Sequence, residues 1–115
     1  MNPKEKLIEL LLTFGYPVSL QGTYAEGEQY PDTFITFWTD GVDDGAHYDN
    51  DAVSFDWQFS VMFYSRNPVL VNTKPADIRA LLKSNGFIPQ GKGMDIPSDE
   101  PTHTGWALEV TYTEK

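Results

Sequence analysis

Twelve consecutive residues alternate without a break. Val53, Phe55, Trp57, Phe59, Val61 and Phe63 point one way, and Ser54, Asp56, Gln58, Ser60, Met62 and Tyr64 the other. Side chains of a strand alternate between its two faces, so this run is one long strand with an apolar face and a largely polar one. An apolar strand face of that length needs cover, and two segments of the chain are built to provide it.

Residues 3–14 read as a helix. Pro3 suits its first turn, and Asn2 can cap it. Leu7, Ile8, Leu11 and Leu12 share one face, with Phe14 near its edge, while Lys6, Glu9 and Thr13 lie opposite. Gly15 is a left-handed stop, and Pro17 prevents resumption. Residues 72–85 read as a second helix, with Asn72 or Thr73 as cap and Pro75 in the first turn. Its stripe is Ile78, Leu81 and Leu82; Asn85-Gly86 ends it, and Phe87 packs back on the last turn. Val69 to Val71 either extend this helix or lead into it.

Shorter strands complete the pattern. Thr33 to Thr39 is rich in aromatic and β-branched residues, and Trp106, Leu108, Val110 and Tyr112 alternate with Ala107, Glu109, Thr111 and Thr113. Val18 to Leu20 and Phe87 to Gln90 are short candidates. Gly22, Gly27 and Pro31 punctuate one connection, and Gly91 to Thr104 reads as a loop. The expected fold is α+β: a single domain over residues 1–115 forming a two-layer sandwich. Two helices pack on one face of a mainly antiparallel sheet of four to five strands, with a long acidic-tipped β-hairpin.

The tip takes its character from the charge distribution. Between Lys6 and Arg66 there is no lysine or arginine but there are ten carboxylates, five of them (Asp40, Asp43, Asp44, Asp49 and Asp51) in one stretch. Six of the eight basic residues (Lys4, Lys6, Arg66, Lys74, Arg79 and Lys83) fall in or beside the two helices. Folded apart, such segments make a charge dipole that favours head-to-tail self-association and repels polyanions from the acidic side. The net charge of −9 works against nucleic-acid binding there, and no apolar run approaches a membrane span. With no cysteine there is no disulfide framework, zinc-thiolate site or thiol nucleophile. The N-terminal apolar stretch is too short and too charged for a secretory signal, so a cytosolic chain is expected.

Each candidate for chemistry has a plainer explanation. From Asp40, the acidic stretch puts Asp44, Gly45 and Asp51 at the fifth, sixth and twelfth positions of a calcium loop. Val42 stands where a ligand belongs, and the flanks are strands, so a solvated hairpin tip is favoured. His47 and His103, in separate loops, are the only material for acid–base chemistry near neutral pH. His47 lies among Asp44, Asp49 and Asp51, but nothing orients a metal site. Gly91-Lys92-Gly93 lacks P-loop spacing and reads as a turn, and Asp95, Asp99 and Glu100 read as solvated turn residues. Trp57 and Trp106 lie on apolar faces and read as core. Trp38 shares a face with Phe34 and not with Ile35 and Phe37, which makes it an interface candidate. No catalytic residue, cofactor or metal is expected.

Five stretches carry a resemblance: Lys6 to Gly15, Val53 to Tyr64, Ser65 to Val69, Ile78 to Phe87, and Trp106 to Thr113. Together they resemble the tail-terminator and tail-completion proteins of long-tailed bacteriophages, the group around minor tail protein U. The resemblance implies a non-enzymatic ring, typically hexameric, formed alone or only on a template. It would cap the tail tube, meet other tail and head-completion proteins, and let DNA through. It also implies a location in the virion tail, and in the bacterial cytoplasm during assembly. The expected site residues are then the acidic stretch (Asp40, Asp43, Asp44, Asp49 and Asp51), pore-lining or partner-facing, and an interface including Lys4, Trp38, Lys74, Arg79 and Lys83. The alternative is a small acidic cytosolic binding module that imitates DNA toward a basic protein or holds a ligand. An enzyme is the least favoured reading.

Overall fold

The computed structural model describes residues 2–20, 31–45, 47–48, 51–52, 54–98 and 102–114, with backbone alone for 47–48 and 51–52. Gly22, Gly27, Asp49, Val53, Asp99 and Glu100 lie outside the described residues. In chain order the elements are α1 (Pro3–Leu12), β1 (Val18–Leu20), β2 (Thr33–Asp44), β3 (His47–Tyr48), β4 (Asp51–Ala52), β5 (Phe55–Ser65), α2 (Pro68–Ser84), β6 (Ile88–Pro89), β7 (Met94–Ile96) and β8 (Thr104–Glu114).

The fold is α+β. A six-stranded sheet runs β1-β2-β5-β8-β6, with β7 also paired to β8, and a two-stranded ladder joins β3 to β4. Every pairing in the main sheet is antiparallel except β1 with β2. The alternating run does become the central strand, β5. Its Phe59, Val61 and Phe63 face the helices together with Ile35, Phe37, Leu108 and Val110, and the helices contribute Leu7, Leu11, Val71, Ile78 and Leu82. All of these are buried.

α1 starts as expected: Asn2 Oδ1 accepts from the Glu5 N–H at 2.8 Å, ahead of Pro3 at the first helical position. α2 differs. Val69 to Val71 extend it, the first of the two alternatives left open, and it begins not at residue 72 but at Pro68, where Asn67 Oδ1 accepts from the Val69 N–H at 3.0 Å. Pro75 therefore lies inside the helix, with its ring on the buried face. Its missing N–H leaves the Val71 carbonyl without the usual helical donor, a cost that the surrounding core offsets. The end of α2 is as expected. Gly86 adopts φ +92°, its N–H reaches the Lys83 carbonyl, and the Phe87 N–H reaches the Leu82 carbonyl at 3.0 Å. This double closure folds the buried Phe87 ring back against the core.

Two further expectations change. Gly91 to Thr104 is not all loop, because Met94–Ile96 pairs with Ala107, Trp106 and Gly105 as β7. And β2 does not stop at Thr39. It continues through Asp40, Gly41, Val42, Asp43 and Asp44 opposite β5. The register shifts once, between Thr39 and Gly41, leaving Asp40 as the extra residue of a bulge. Aspartate and glycine disfavour strands, but here the strand-forming partner Phe55 to Ser60 decides. Side-chain donors on β5 hold the acids: Ser60 Oγ donates to Asp40 at 2.8 Å and Gln58 Nε2 to Asp43 at 3.0 Å. The ladder also continues beyond Asp44, with the Gly45 N–H on the Ser54 carbonyl and the β3–β4 pairing His47↔Ala52 and Tyr48↔Asp51.

The sheet outruns the helices. β2, with 12 residues, spans about 40 Å at strand rise, whereas the 17 residues of α2 span about 25 Å. The radius of gyration is accordingly 15.1 Å, against about 13 Å for a compact chain of this length.

Candidate functional site

The face of the sheet turned away from the helices is divided in two. At one end, Phe34, Met62 and Tyr64 form a small second core, with Ile96 and Ala107 against it. His103 closes it. The imidazole is buried, its edge meets the Phe34 ring at 5.6 Å, and Nε2 lies 2.7 Å from the Pro31 carbonyl. A carbonyl only accepts, so Nε2 donates there, and Nδ1 lies 3.1 Å from the Thr102 hydroxyl. His103 thus holds structure together. Of His47 only the backbone is described, in β3.

The other half of this face is polar and acidic. Trp38, Ser60 and Glu109 form one row across β2, β5 and β8; Gly41, Gln58 and Thr111 form the next, and Asp43, Asp56 and Thr113 the third. Asp40 leans over Ser60 from the bulge. Asp43 and Asp56 stand directly opposite one another, a like-charged pair that costs stability. Neutral donors offset it: Gln58 bonds Asp43, and Thr113 Oγ1 donates to Asp56 at 2.8 Å. A shallow hollow of about 360 Å³ lies between Asp40, Gln58, Gln90 and Glu109.

The expected acidic cluster is therefore only partly one surface. Asp40 and Asp43 belong to the open face. Asp44, opposite Phe55, follows the parity of the helix-side face. Asp51 lies in β4, and Asp49 is outside the described residues. Asp40, Asp43 and Asp44 are strand residues and not a loop. Asp56 and Glu109 complete the acidic face, although neither was expected at the site. The period-two pattern carried the signal, since both occupy polar positions of alternating strands.

The expected basic surface also divides. On α2, successive residues turn by about 100°, so Arg79 and Lys83 share a flank with Asn72 and Ala76, while Lys74 falls on the opposite flank. Lys4 belongs to α1, as does Lys6, whose Nζ lies 3.2 Å from Tyr112 Oη and 4.7 Å from the centre of its ring. Arg79 instead reaches the Gly91-Lys92-Gly93 turn, donating from Nε to the Gly91 carbonyl at 2.9 Å. Trp106 Nε1 donates to the Lys92 carbonyl at 2.9 Å. The turn is pinned from both sides, with Gly91 at φ +76° and Gly93 at φ +99°. Between it and α2 lies a cleft of about 330 Å³ with Val71 and Pro75 among its apolar lining and Arg79 and Lys92 as its cations.

The three tryptophans do not meet in a cage. Trp57 and Trp106 flank the main core, and Trp57 Nε1 donates to Glu114 at 3.1 Å. Trp38 is on the opposite face and 50% exposed. Among the described residues no group of three His, Cys, Asp or Glu side chains comes together as metal ligands, and no helix is long and apolar enough to cross a membrane. No family model matches the chain, and no curated protein matches its sequence.

Proposed function

We propose that this chain is a structural, non-enzymatic subunit of a phage or prophage tail. As a terminator or completion protein, it forms a ring at the head-proximal end of the tail tube, and DNA passes through that ring. The observation that carries this reading is the separation of charge by element. β2, β5 and β8 contain no lysine or arginine and carry Asp40, Asp43, Asp44, Asp56, Glu109 and Glu114. α2 carries Lys74, Arg79 and Lys83 against one acid, Asp77.

A ring needs unlike surfaces that meet head to tail, and segregated charge provides them. A passage for DNA must not bind the polyanion, and a wall of hydrated carboxylates repels it. In this reading the acidic ribbon beyond Val42, past the last row packed against the core, reaches toward the axis. In this reading the partners are copies of the chain and neighbouring tail and head-completion proteins. The protein acts in the virion tail after assembly in the host cytoplasm.

Electron microscopy of the concentrated protein tests the reading. Annular particles of uniform diameter with an open centre are the expected result. Single small particles that in low salt hold a basic protein would replace it with an acidic binding module.

A further inference from the structure

The cleft beside α2 has the size of a pocket for one large side chain, at the lower end of ligand-site volumes. An apolar lining with two cations at the rim calls for the opposite design in an occupant: an apolar knob ringed by carboxylates. This chain presents one. Trp38 stands half-exposed on the open face, with Asp40 beside it at the bulge and Glu109 two strands across in the same row. The two surfaces cannot meet within one molecule. Trp38 lies on the face of the sheet turned from the helices, and the cleft is built on α2 and Trp106 on the covered face.

We infer that the Trp38, Asp40 and Glu109 surface of one copy docks into the Arg79, Lys92 and Trp106 cleft of a second copy. The indole fills the apolar lining, and the carboxylates meet the guanidinium and ammonium groups. Each molecule offers its knob to one neighbour and its cleft to another, so the contact is heterologous and propagates until it closes. The inference rests on the ring reading above and assigns the contact that would build the ring. Tryptophan and arginine at the centre of a contact are the residue types that dominate interface energetics.

Sedimentation velocity on the full chain tests this with paired charge reversals. Asp40→Lys with Glu109→Lys makes both surfaces cationic, and Arg79→Glu with Lys92→Glu makes both anionic. Each double variant alone is expected to be monomeric where the wild type is assembled, and an equimolar mixture should reassemble with alternating subunits. Reassembly also establishes that both variants are folded. Trp38→Ala should weaken association about thirtyfold, whereas Leu12→Ala, equally exposed on α1, should leave it unchanged. Should Arg79→Glu disturb the turn, seen as altered far-ultraviolet circular dichroism, Lys92→Glu alone serves, because the turn uses only the Lys92 carbonyl. If the wild type assembles and the reversed variants assemble equally well, the inference is overturned while the ring reading stands. A wild type that stays monomeric to millimolar concentration overturns self-assembly itself.

Discussion

At the scale of single residues, the direct pairing of Asp43 with Asp56 sets two like charges opposite one another. The hydrogen bond from Thr113 survives if Asp56 becomes asparagine, since a carbonyl oxygen still accepts. Asp56→Asn should therefore stabilise the fold by a few tenths to about 1 kcal/mol. The gain should be largest at low salt, where screening is least. Thermal unfolding at two ionic strengths checks it, and a lower melting temperature at low salt contradicts it. The Gly91-Lys92-Gly93 turn supplies a second case. Both glycines have positive φ, but a Cβ on Gly91 meets nothing within 4 Å, whereas one on Gly93 runs into the Ala107 carbonyl and the Trp106 indole nitrogen. Gly91→Ala should cost about 1 kcal/mol of left-handed strain, and Gly93→Ala clearly more, measured as the difference in urea midpoint. The three residues were legible as a turn. Its role as one wall of a cleft was not, because Arg79 and Trp106 approach it from 12 and 14 residues away.

Among the elements, β5, β8 and α1 were more legible than the start of α2 or the extent of β2. β5 and β8 were evident because strict alternation has only one geometric solution, and α1 because its cap, proline and stripe agree. The start of α2 is ambiguous in the sequence for a physical reason. Two prolines, Pro68 and Pro75, each fit a first turn, and local chemistry does not choose between them. The choice falls to Asn67, whose side chain caps Val69 while its own N–H donates to Ser65 Oγ at 3.0 Å. Ser65 in turn is buried beside Thr33 at the end of the β2–β5 ladder. Asn67→Ala should accordingly cost about 1 kcal/mol, while Asn72→Ala, at the expected cap, should change stability little. Equal losses in chemical denaturation would contradict this boundary. The acidic stretch reads as loop for the reverse reason. Its own composition disfavours a strand, but a ladder already formed on β5 extends over it, and the bulge at Asp40 absorbs the mismatch. That extension puts Asp44 on the face opposite Asp40 and Asp43 and gives Asp40 and Asp43 the company of Asp56 and Glu109.

At the scale of the molecule, one feature connects the fold to the proposed function: the central strands hold carboxylates without cations, and α2 holds cations almost without carboxylates. The sequence already carried this division, because charge runs are visible without a structure. Which charges share a surface was not legible, since that depends on strand register and helix phase. Lys74 consequently falls on the flank of α2 opposite Arg79 and Lys83, and Lys92 joins Arg79 at the cleft. Association built on such surfaces should weaken as salt shortens the reach of charge, from about 10 Å at 0.1 M to about 3 Å at 1 M. The most direct measurement is light-scattering mass after size exclusion, across protein concentration and from 0.05 to about 1 M salt. One closed oligomer of fixed mass at low salt, which falls to the monomer as salt rises, is the expected result. A monomer under every condition, or an assembly indifferent to salt, would contradict it.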